Sequence, residues 1–224
     1  MRQIFLDTET TGLSAATHRV IEIGCIEYVD RTATGRVFHH YLNPERDVDA
    51  GAERVHGLSR KFLQDKPKFH TLAQELFAFL DGAELIIHNA PFDTGFLSAE
   101  FQRCGFNLNV ATDFTVIDTL AMARQRYPGQ KNGLDALCKR LGVNNAHRVL
   151  HGALLDAQIL AEVYAAMTGG QTLMSFDGIS GSRATGSAQE KAQQALDAKK
   201  TARLDVLVIP ATQEEIDAHE NYWK

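Results

Sequence analysis

Cysteine is scarce in this sequence: Cys25, Cys104 and Cys138 are the three in 224 residues, and none belongs to a CxxC pair. Each lies inside an apolar periodic segment. That argues against a zinc site and a disulfide framework, and for reduced, buried thiols in a cytoplasmic protein. Long apolar runs are missing too. No stretch approaches the roughly 20 residues that span a bilayer, and no basic-then-apolar leader precedes the first strand, so no membrane partner is expected. There is also no excess of positive charge. The net charge is −5, distributed as −3 over residues 1–176, +2 over 177–204 and −4 over 205–224. A chain of this balance is not expected to grip a phosphate backbone strongly unaided. It still admits an anionic substrate where bound cations reverse the local sign.

What is present reads as an α/β domain followed by appendages. Strands are expected at Gln3–Asp7, Val20–Val29 and Val37–Leu42 as an antiparallel meander. A helix over Leu72–Leu80 follows, then a short apolar strand at Glu84–His88. Asn89 and Pro91 start a helix carrying Phe92, Phe96, Leu97 and Phe101 that stops at Gly105. A strand at Thr115–Ile117 precedes Asp118, an N-cap for a helix over Thr119–Arg126, and further helices are expected over Gly133–Leu141 and Ala153–Met167. Strands first and alternation later predict a mixed central sheet flanked by helices. After Phe176 the chain loses its aromatic and most of its large aliphatic residues, so residues 177–203 read as a flexible linker. Hydrophobicity returns in LDVLVIP, and residues 204–224 read as a segment that docks on another protein.

The stretch FLDTETTGL carries two carboxylates, Asp7 and Glu9, on one face of a strand, about 7 Å apart. Such a pair is costly at a buried strand end unless a positive charge lies between. ELIIHNAPFDTGFL puts Asp93 in the first turn of a helix. HGALLDAQIL puts Asp156 on the last helix with no Lys or Arg within a turn. Taken singly, each has an ordinary reading: an arginine-paired strand end, a helix N-terminal acid, a capping histidine. His56 in VHGLS, Asp118, Asp135 and the pair His39-His40 are given that ordinary reading. Together, four convergent carboxylates suit hard divalent cations, Mg²⁺ or Mn²⁺, and two such ions suit phosphodiester hydrolysis. His151, five residues before Asp156, would diverge from it on a common helix and is expected on the feeding loop. Its ordinary pKa of about 6.5 suits a general base.

FLDTETTGL, HNAPFDTGFL and HGALLDA resemble the three motifs of the DEDDh 3′–5′ exonucleases. The likeness continues through VIEIGCIEYV, VHGLS, LDALCKRLGV and LLDAQILAEVYAAMTGGQT, covering residues 1–176. It implies a ribonuclease H-like fold and removal of mispaired 3′-terminal nucleotides from DNA. Asp7, Glu9, Asp93 and Asp156 correspond to the metal ligands, Asp93 through water, and His151 to the general base. Thr10 to Leu13 and His56 correspond to the wall around the 3′-terminal nucleotide, which Asp7, Glu9 and Asp156 also meet. Relatives often carry an acid five positions before the VHG histidine. Gly51 stands there in this chain, with Glu53 close by, and neither is assigned.

The resemblance also implies partners. QTLMSF is similar to a sliding-clamp motif, with Gln171 for a polar pocket and Met174 and Phe176 for an apolar one. Residues 204–224 correspond in place to a tether to a DNA polymerase subunit, and some relatives bind a small accessory subunit. Two alternatives remain at this level: a free-standing exonuclease trimming RNA ends or single-stranded DNA, and a catalytically inert adaptor between clamp and polymerase.

Overall fold

The computed structural model describes residues 1–145 and 150–169. Its elements run β1 (Arg2–Thr10), β2 (Val20–Val29), β3 (Thr32–Tyr41), α1 (Ala50–His56), α2 (Arg60–Leu63), α3 (Phe69–Leu80), β4 (Glu84–Ile87), α4 (Ala90–Arg103), α5 (Val110–Asp113), β5 (Thr115–Asp118), α6 (Thr119–Arg126), α7 (Leu134–Leu141) and α8 (Ala153–Gly169). The sheet has five strands in the order β3-β2-β1-β4-β5. The expected meander is present, β1 pairing antiparallel with β2 and β2 with β3, while β4 joins β1 and β5 joins β4 in parallel. This is the mixed, helix-flanked sheet of an α/β fold. The expected linker at 177–203 and docking tail at 204–224 lie outside the described residues.

Alternation along β1 organises the molecule. Ile4 and Leu6 point to one face, where they meet Leu76, Leu80, Phe96 and Phe101 of α3 and α4. Phe5 points to the other face and packs with Ala157, Leu160 and Ala161 of α8. A further apolar layer, Ala123, Leu137, Cys138 and Val163, joins α6 and α7 to the outside of α8. Each fully buried large aliphatic or aromatic side chain here contributes about 1.5–3 kcal/mol. The free cysteines fit this interior: Cys25 and Cys138 are buried and Cys104 partly so.

Three differences from the sequence reading bear on the site. β1 continues to Thr10 instead of ending at Asp7, so both acids of the first motif sit within a paired strand. β3 starts five residues early, because its first half is exposed on both faces and carries no alternating apolar signal. VHGLS is not a free turn. Val55 and His56 end a helix that Gly57 closes in the left-handed conformation, φ 74°, its N–H bonded to the Glu53 carbonyl. AGAERVH has too few apolar residues to betray that helix by periodicity, and the short α2 and α5 escaped for the same reason.

Candidate active site

The site forms where the C-terminal end of β1 meets the N-terminal turns of α4 and α8. Parity along β1 distributes its residues. Asp7 and Glu9 share the face of Phe5 and look towards α8, whereas Thr8 looks towards α4. On that side the Thr8 backbone N–H and hydroxyl both donate to Asp93 Oδ1, at 3.0 and 2.6 Å. Asp93 is 3% exposed. Burial pushes its carboxyl up to about 7, the two Thr8 bonds oppose that, and the nearby Asp118 adds to it.

Glycine brings α8 in. Gly24 on β2 lies opposite Asp7 in register. A Cβ there would stand 2.3 Å from the Ala153 carbonyl carbon and the Leu154 nitrogen. Only a residue without a side chain lets the first turn of α8 sit directly on the sheet, and that contact carries Asp156 to the level of Asp7 and Glu9. His151 lies on the loop before α8, as expected, with Nδ1 3.2 Å from Asp156 Oδ2. Its backbone N–H donates to the Val55 carbonyl at 3.1 Å, tying the loop to the end of α1.

Glu9, His151 and Asp156 offer ligand atoms within 4.8 Å of one another. With Asp7 and Asp93 they line one open cleft of about 750 Å³. A nest of carboxylate oxygens is the donor set that hard divalent cations take, so Asp7, Glu9, Asp93 and Asp156 fit the metal that the sequence implied, with the His151 imidazole beside them. A second cavity of about 520 Å³ adjoins it, lined among others by Thr10, Leu13 and His56. Leu13 is 87% exposed and forms an apolar lip. His56 is buried and accepts the Leu58 N–H at Nδ1, 3.0 Å. Burial holds its pKa below the ordinary value, so the ring stays neutral and carries its proton on Nε2. Glu9 and Phe92 line both cavities.

Residues given the ordinary reading divide. Asp118 caps α6 through the Leu120 N–H at 2.9 Å and also accepts the Asn89 N–H. His39 pairs with Glu22 at 2.8 Å. Asp135, by contrast, lines the cleft together with Lys131, Asn132 and His88. Asp49 lines the second cavity, where it faces His18 at 3.7 Å. Gly51 borders that cavity and Glu53 is not among its lining residues. Nothing in local spacing distinguished Phe92, Lys131 or Asp49, because tertiary packing alone brings them to the site. Gln171, Met174 and Phe176 lie outside the described residues.

A carboxylate cleft with a second pocket beside it stands at one end of this mixed sheet, and a family model described as Exonuclease matches residues 4–164. Among curated relatives, DNA polymerase III subunit epsilon of Escherichia coli is 48% identical over 98% of this chain and 90% of its own length. The subunit of the same name from Pasteurella multocida is 47% identical over 99% and 87%. The chain therefore belongs to the exonuclease family and, within it, to the DNA polymerase III epsilon subunits. Two solved structures share the fold. One is the zinc-bound complex of Escherichia coli exonuclease I with single-stranded DNA, at TM-score 0.69 and 18% identity over 77% of this chain and 41% of that one. The other is exonuclease X with 5′-overhanging duplex DNA, at TM-score 0.59 and 24% identity over 76% and 93%.

Proposed function

We propose that this chain is the proofreading 3′–5′ exonuclease of a DNA polymerase III. It hydrolyses the last phosphodiester of a mispaired primer and releases a deoxynucleoside monophosphate. The observation that carries this reading is the shared wall: the acid cleft and the nucleotide-sized pocket both use Glu9 and Phe92. A bond lying in the cleft therefore belongs to a nucleotide lying in the pocket.

Asp7, Glu9, Asp93 and Asp156 would hold two divalent cations, Mg²⁺ or Mn²⁺. When bound, such ions acidify water and neutralise charge on the leaving oxygen. The chain's own groups do the rest. Asp156 faces His151 Nδ1, so the proton resides there and Nε2 offers its lone pair to the attacking water. Thr8 keeps Asp93 in one orientation through two bonds to a single oxygen. Thr10, Leu13 and His56 enclose the terminal nucleotide. A paired end must be unstacked before it enters, whereas a mispaired end is already frayed, and that difference selects mismatches.

The remaining roles rest on the family and on segments beyond the described residues. Gln171, Met174 and Phe176 engage the sliding clamp and residues 204–224 bind the polymerase III alpha subunit, all in the cytoplasm. Among the described residues no helix is long and apolar enough to cross a membrane.

The test is degradation of a 5′-labelled primer with a 3′ mismatch in Mg²⁺, comparing the protein with Asp156→Ala. A ladder shortening from the 3′ end in the former alone is expected. No shortening by either folded protein, in Mg²⁺ or Mn²⁺, would leave the inert-adaptor reading in its place.

A further inference from the structure

The general base and the nucleotide wall are fastened to each other. The last turn of α1 gives Val55 and His56 to the nucleotide pocket, and the Val55 carbonyl accepts the His151 N–H at 3.1 Å. One residue on, Gly57 turns the chain at φ 74°, and a Cβ there would stand 2.6 Å from Leu150 Cδ1. Leu150, adjacent to His151, thus lies against the bare backbone of α1's terminal turn. Two contacts, one hydrogen bond and one steric, set the height of the His151 loop from a helix that itself lines the second cavity. The side-chain contact to Asp156 then fixes the ring but not the loop.

We propose that Gly57 is a positioning residue for His151, acting through Leu150, and that the end of α1 couples seating of the terminal nucleotide to presentation of the base. This rests on the exonuclease reading. A nucleotide pressing on Val55 and His56 bears on the turn that holds His151, so the base is best aligned when the pocket is filled. A terminal nucleotide that enters only partly leaves the loop unsupported and is cut slowly.

Gly57→Ala adds both a clash and left-handed strain, and two comparisons separate them. Gly82→Ala also sits at a left-handed φ, 69°, with nothing within 4 Å of its Cβ, and supplies strain alone. Leu150→Ala added to Gly57→Ala removes the methyl groups that clash. The expected pattern on a mismatched primer is a kcat about 10²-fold down in Gly57→Ala, the scale for an ångström of misplacement. KM and calorimetric Mn²⁺ affinity should stay near those of the unaltered protein, kcat should largely return in the double variant, and Gly82→Ala should be near normal. A double variant no better than Gly57→Ala, or an equal loss in Gly82→Ala, overturns the proposal, as does a change confined to KM. An unaltered protein that fails to cut overturns the exonuclease reading instead. If Gly57→Ala does not fold, amide exchange of His151 in the unaltered protein decides. Slower exchange on adding thymidine 5′-monophosphate with Mg²⁺ supports the coupling, and an unchanged rate overturns it.

Discussion

Asp7, Thr8 and Glu9 are consecutive, yet they serve opposite faces of one strand. Thr8 holds Asp93 on one side, while on the other Glu9 lies with His151 and Asp156. Asp93 is a carboxylate 3% exposed whose burial raises its pKa to about 7. Folding therefore tightens its proton. Its contribution to stability is full below the ordinary carboxylate pKa, about 4, and is lost as pH rises through about 7. Metal-free protein is thus expected to melt at a lower temperature at pH 8 than at pH 5, with Asp93→Asn flattening that difference. Mg²⁺, which replaces the proton, should raise the melting temperature more at pH 8. Identical pH profiles for the two proteins in EDTA would contradict this. Asp7, Glu9 and Asp156 stood out by a local oddity, paired like charges on a strand and an acid on a helix without a basic neighbour, whereas Asp93 and His151 stood out only in combination with them. Phe92, Lys131 and Asp49 had no such oddity.

Among elements, α8 is placed by what β2 lacks. Gly24→Ala would drive a methyl group into the backbone of Ala153 and Leu154, and α8 must retreat with Asp156 on it. A loss of about 1–3 kcal/mol is expected from overpacking, together with roughly 10²-fold in kcat from the displaced carboxylate. Thermal melts and primer degradation on one preparation check both. Gly95→Ala in α4, where a Cβ meets nothing within 4 Å, should instead gain up to about 1 kcal/mol. Equal behaviour of the two variants would dissolve the argument. The sequence exposed α3, α4, α6, α7 and α8, whose apolar or capping patterns are strong. It hid α1, which has little apolar stripe because His56 alone of its residues is buried and its exposed side borders the second cavity. Under the proposed function that cavity takes the substrate, and an element that keeps surface free for a ligand forgoes the burial that periodicity reports.

At the scale of the molecule, the family match ends at residue 164 and both cavities are built by residues before 157. Chemistry should therefore be separable from recruitment. A chain truncated after residue 176 is expected to degrade single-stranded DNA at a rate within about twofold of the full chain. Under the proposed function it should lose all stimulation by the polymerase subunit, because the segment proposed to tether the two and raise their effective concentration is gone. A truncated chain that folds but does not cut would show that residues 177–224 contribute to the site itself.

The wall held in common by the two cavities has one more consequence. Glu9 and Phe92 line both cavities, and under the proposed function they would set a fixed offset between the pocket and the place of cutting, a ruler with a single graduation. Each stroke would then shorten the strand by one unit, whatever the base, and the products should be monomers from the first turnover. Phe92→Ala erases the graduation by merging the pocket with the cleft. Chromatography of its products should then reveal dinucleotides beside mononucleotides, a change of step length and not only of pace.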